Sequence, residues 1–134
     1  MSLAAAKSLF LIAGLYDLLI GLAFLLGGVQ LFDWAGIPQP NHWAYLQFAA
    51  LELMIFGVMF LAISRDPMAH RNLIIYGLLL KASYVGLAGY YWVKGECPLL
   101  FQPFAVIDAV MFVLFAWAYA SLGKGLTTSP SRSA

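Results

Sequence analysis

A chain of 134 residues that is 63% hydrophobic and 10% charged, with a net charge of +1 and a mean hydropathy of +0.88, has room for one domain and too little charge to cover it in water. A soluble domain is about one quarter charged. The near-neutral balance lacks the basic face that nucleic acid requires, and the single Cys97 excludes an internal disulfide and any thiol chemistry built on a Cys-x-x-Cys pair.

Four stretches are long and apolar enough to cross a hydrocarbon core, which takes roughly 20 helical residues. The first, residues 8–28, carries Asp17 at its centre. Its length and the lack of a small-x-small cleavage site predict a retained helix rather than a signal sequence. A linker over 29–42 ends in Gly36-Ile37-Pro38-Gln39-Pro40-Asn41. The second span, 43–63, carries Glu52, with Tyr45 and Gln47 leading toward it from one end. Asp66-Pro67 then reads as an N-cap followed by proline at the first helical position, so the short second linker should open with one helical turn.

The third span, 73–93, carries Lys81, with Gly77 one turn before it and Tyr84 one turn after. Gly95, Cys97-Pro98 and Pro103 punctuate the third linker, and the fourth span, 100–122, carries Asp108. Residues 124–134, rich in Ser and Thr, read as a disordered cytoplasmic tail. The expected fold is all-α: one four-helix membrane bundle over residues 1–123.

Lys and Arg set the expected orientation. Lys7, Arg65, Arg71, Lys124 and Arg132 fall on one side of four spans and only Lys94 on the other, which puts both termini in the cytoplasm of a cell whose plasma (inner) membrane the chain crosses. Trp34, Trp43, Tyr45, Tyr90, Tyr91 and Trp92 then form an aromatic belt on the outer side.

Each span therefore has one ionisable residue near its middle. At about 1.5 Å of rise per residue, Asp17, Glu52 and Lys81 share a depth near the midplane, and Asp108 lies close to it or slightly outward. Each would cost about 2.5–3.5 kcal/mol facing lipid, so the four should converge on the bundle axis. Three acids and one lysine leave two negative charges in excess. That excess suggests a shared proton, a bound cation or a protonated amine ligand. The alternative is a closed salt-bridge cluster that only fixes helix register, although buried ion pairs are weak stabilisers.

The candidate ligand- or proton-binding set is Asp17, Glu52, Lys81, Asp108, Tyr84 and Gln47. A weak internal repeat accompanies it. Phe48-x3-Glu52-x3-Phe56 on the second span matches Phe104-x3-Asp108-x3-Phe112 on the fourth, which would set the two acids facing each other between aromatic rings. His42 lies outside the second span and His70 in the cytoplasmic linker, so no His pair sits at membrane depth to ligate haem. No zinc spacing, phosphate-binding glycine loop or nucleophile triad is present either. No cofactor, metal or catalytic set is expected.

The size, the four spans, Tyr16-Asp17 in the first helix, the Arg65-Asp66-Pro67 turn and Tyr90-Tyr91-Trp92 at the end of the third helix resemble the DoxX-like small four-helix bacterial membrane proteins. That resemblance implies a bacterial inner-membrane protein, often an accessory to redox or stress-related complexes, and carries over no catalytic residue.

From the residues themselves the leading expectation is a protein that binds or carries a small molecule, proton or cation. Its polar pocket would open toward the outer face, between the loops over 34–42 and 96–102. The rival from another class is an accessory subunit packed against a membrane-protein partner or further copies of itself. A membrane enzyme acting on a lipidic substrate, with two acids dividing general acid and base roles, is the third.

Overall fold

A computed structural model describes residues 1–127. Four helices run Leu3–Ala35 (α1), Trp43–Arg65 (α2), Ile74–Val93 (α3) and Gln102–Thr127 (α4), with one-turn 3₁₀ segments leading into α3 (Arg71–Leu73) and α4 (Leu99–Phe101). All four are long and apolar enough to span a membrane, the build of a multi-pass membrane protein. Most of the expected tail lies outside the described residues, and α4 runs past the predicted end of the fourth span to Thr127.

The first helix is longer than its apolar run. Ser2 caps it by accepting from Ala5 N–H, a kink at Gly27 (φ −119°, ψ 18°) interrupts it, and it ends at Gly36, whose φ of 68° only glycine adopts without strain. Gly36 N–H then donates to Asp33 and Ile37 N–H to Phe32, so the freed carbonyls of the last turn are satisfied. The Asp66-Pro67 prediction holds: Asp66 Oδ1 accepts from Ala69 N–H at 3.1 Å and a turn follows before α3.

α1 and α2 form the tight half of the bundle. Gly14, Gly21 and Gly28 recur every seven residues on α1 and meet Gly57, Ala50 and the Trp43–Leu46 turn of α2. A Cβ at Gly14 would stand 2.9 Å from the Gly57 carbonyl oxygen, one at Gly57 the same distance from Gly14 O, and one at Gly21 2.8 Å from Ala50 O. Without a hydrophobic drive between helices in lipid, such close backbone approach is what small residues contribute.

α3 pairs with α4, while α2 and α3 meet sparingly, near the linker, where Phe60 lies against Gly77. Phe10, Phe60 and Phe115 form an aromatic plug at that end, with ring centroids 4.8 to 6.1 Å apart, backed by Ile63, Ile74 and Ala118.

Arg71 ties the same end together. Its Nε donates to the Tyr119 carbonyl at 2.9 Å, and its guanidinium lies 3.7 Å over the Tyr119 ring, in space left by Gly123. Arg71→Ala should lower stability by about 1–3 kcal/mol, the sum of a charge-assisted hydrogen bond and a ring contact. Arg71→Lys should recover only part of it, because an ammonium lacks the planar fork. Thermal unfolding in detergent measures both, and an Arg71→Lys variant as stable as wild type would contradict this account of the clamp.

Candidate functional site

One face of each helix builds the site, at spacings of three and four residues. α4 presents Phe104, Asp108, Met111 and Phe115, continuing the line of Phe101 in the 3₁₀ turn before it, and α3 presents Ile74, Gly77, Lys81 and Tyr84. On α1 the corresponding series is Phe10, Ala13, Asp17, Gly21 and Phe24. A 3–4 rhythm keeps these residues on the bundle axis over several turns. The polar residues are single insertions into an otherwise apolar seam.

Three of the four mid-span charges meet directly on the aromatic plug. Lys81 Nζ donates to Asp17 Oδ1 at 3.0 Å and Oδ2 at 3.2 Å, and to Asp108 Oδ1 at 2.9 Å. Lys81 is 0%, Asp17 1% and Asp108 7% exposed, so the ammonium is fully enclosed while both acids border the cavity described next. The ammonium also lies 5.5 Å from the Tyr16 ring and 5.7 Å from that of Phe60. Two carboxylates therefore share one cation, and the triad carries one net negative charge when all three members are ionised.

Glu52 does not join them. It is half-buried and has no hydrogen bond or ion pair among the described residues. It lines a cavity of about 490 Å³ that also touches Asp17, Asp108, Tyr16 and Tyr84, with the remaining wall apolar. Tyr16 borders the same cavity, and its enclosed Oη is the one buried side-chain polar atom without a partner among the described residues. Tyr84 faces the same space, but its hydroxyl is spent on the Phe101 carbonyl at 2.9 Å, where it steadies the start of α4.

Asp17 and Asp108 line the cavity at the end that adjoins Lys81 and the Phe10–Phe60–Phe115 plug. At the other end Phe32 packs edge-on to Trp43 at 5.5 Å and to Phe101 at 6.3 Å, and Phe24 stacks on Phe101 at 6.2 Å. Its exposed lining residues, Phe48 and Ala49, are both on α2, on the side where α2 and α3 hardly touch. The opening is thus through the side of the bundle. The expected opening lies between the 34–42 and 96–102 loops, at the end where the rings of Phe32, Trp43 and Phe101 pack together.

The six sequence candidates divide accordingly. Asp17, Lys81 and Asp108 come together, and Glu52 and Tyr84 share their cavity. Gln47 is exposed and borders a separate cleft of about 200 Å³ beside Gly28 and Trp43. The Glu52–Asp108 repeat is only half realised: both acids line the cavity, with Phe48 and Phe104 one turn before them, yet only Asp108 is bonded to Lys81.

Sequence reasoning missed Tyr16 as a lining residue. Adjacent helical residues lie about 100° apart, so assigning Asp17 to the axis steered Tyr16 away from it; a long side chain at the seam's edge reaches back. No known family model matches this chain, and neither a characterised protein nor a solved structure does.

Proposed function

We propose that this chain is a small membrane protein that binds or carries a small molecule or ion in the cavity between its four helices, with Glu52 as the group that engages it. One observation carries the reading: Lys81 is used up by Asp17 and Asp108, which leaves Glu52 as an uncompensated carboxyl on a cavity of about 490 Å³. An unpaired ionisable group at membrane depth points to function, because lipid gives it no other compensation.

The proposed orientation has the 65–71 linker and both chain ends in the cytoplasm of a bacterial inner membrane. Met1 donates to Ser121 and Arg71 to Tyr119, so these parts share one end of the bundle with Lys7 and Arg65.

Native mass spectrometry of the protein released from its own membranes in mild detergent tests the reading. A bound small mass should accompany the wild type and be lost from Glu52→Gln, with both proteins equally folded. The same mass retained in full by Glu52→Gln would remove Glu52 from the site. Stoichiometric protein partners with no small mass would instead favour an accessory subunit.

A further inference from the structure

The cavity's access route and its charge together narrow the ligand class; this inference rests on the binding reading above. The cavity's exposed lining residues are Phe48 and Ala49, which points to a way in through the side of the bundle there. Both residues lie within α2, one of the membrane-spanning helices, so the opening faces acyl chains rather than water. Whatever enters must already be dissolved in the bilayer.

The interior selects further. Phe24, Phe101 and Phe104 present ring faces and edges to the cavity, surfaces that hold apolar and cationic groups but offer no strong hydrogen bond. The charged residues of an otherwise apolar wall are Glu52, whose carboxyl is unpaired, and Asp17 and Asp108 of a triad that is net negative when all three members are ionised. Lys81, the one cation among the mid-span charges, is fully enclosed by Asp17 and Asp108 and cannot reach an anionic guest. With these acids ionised the field in the cavity is negative, and a carboxylate or phosphate would enter against it at low dielectric.

We infer that the ligand is a lipophilic amine in its protonated form, entering from the bilayer between α2 and α3, with its ammonium on Glu52 and its apolar body against the phenylalanines. In this division of labour the Asp17–Lys81–Asp108 triad supplies structure and field, and Glu52 supplies recognition.

The test uses three probes of one shape and different charge: 1-pyrenemethylamine, 1-pyrenemethanol and 1-pyreneacetate. Each is titrated into protein in zwitterionic lipid nanodiscs, with empty nanodiscs subtracting probe dissolved in lipid. Wild type should bind the amine at least tenfold more tightly than the alcohol and the acetate least. Glu52→Gln should bind the alcohol as wild type does, which shows an intact cavity, and lose the preference for the amine. Equal binding of amine and alcohol by wild type would overturn the amine class while leaving a ligand cavity in place. Preference for the acetate would make Lys81 the recognising group and overturn it too. Binding of none of the three by a protein that carries a native bound mass would overturn the lipophilic-cation class alone, whereas absence of any native mass bears on the wider reading.

Discussion

Lys81→Met is expected to be the most damaging single substitution in the chain. Lys81 is 0% exposed and holds two carboxylates, 3.0 and 2.9 Å away, that have no other partner among the described residues. Methionine fills similar volume but leaves Asp17 and Asp108 facing each other in a dry seam. Breaking a buried pair by removing one partner costs about 3–5 kcal/mol, and here two partners are stranded at once. Little folded protein should survive extraction, and thermal unfolding in detergent should fall accordingly.

The triple variant Lys81→Met, Asp17→Asn, Asp108→Asn should recover most of that loss, since two neutral amides can bond each other. Adding Glu52→Gln to Lys81→Met should recover almost none, because Glu52 shares no bond with Lys81. Rescue by Glu52→Gln rather than by the asparagine pair would show that the charges are grouped differently.

The second large effect is expected at the α1–α2 seam. In Gly57→Leu the new Cβ would sit 2.9 Å from the Gly14 carbonyl oxygen and 2.8 Å from Leu18 Cγ. The first of these is backbone and cannot swing aside, so α1 and α2 must separate. Overpacking a tight contact costs about 1–3 kcal/mol, and the upper end applies where helix backbones touch. Separation would also distort the cavity wall that both helices share at Asp17, Gly21 and Ala50. Gly86→Leu on α3 is the matched control: a Cβ there meets nothing within 4 Å, and stability should change by less than about 0.5 kcal/mol. Equal losses at both positions would mean that glycine matters here for some reason other than close approach.

Much of this architecture is legible in the residues. Four apolar runs, the Asp66-Pro67 turn and the single charge in each span are strong local signals, and the cost of a charge in lipid is enough to turn Asp17, Lys81 and Asp108 inward. Helix ends were less legible. The expected end of the first span at residue 28 falls beside the Gly27 kink, where α1 bends rather than stops, and the helix continues to Ala35 before Gly36 ends it. The division of charges was not legible at all. Asp17, Glu52 and Asp108 look equivalent as mid-span acids, and which two meet Lys81 depends on how α1 and α2 rotate about their glycine contacts. Those contacts turn Ala50 and Gly57 toward α1 and leave Glu52, two residues from Ala50, toward the open side. The side opening was hidden for a related reason: Phe32, Trp43 and Phe101 lie far apart in sequence, and nothing local says that their rings meet.

Three mid-span charges are locked together, and of the three acids that line the cavity only Glu52 has no ion-pair partner among the described residues. Labelling with dicyclohexylcarbodiimide tests it most directly, because this apolar reagent reaches carboxyl groups through lipid. Protein in native membranes would be treated and digested, and the adducts mapped by mass spectrometry. The account predicts an adduct on Glu52, none on Asp17 or Asp108, and no intramembrane labelling in Glu52→Gln. Modification of Asp17 or Asp108 with Glu52 untouched would contradict it.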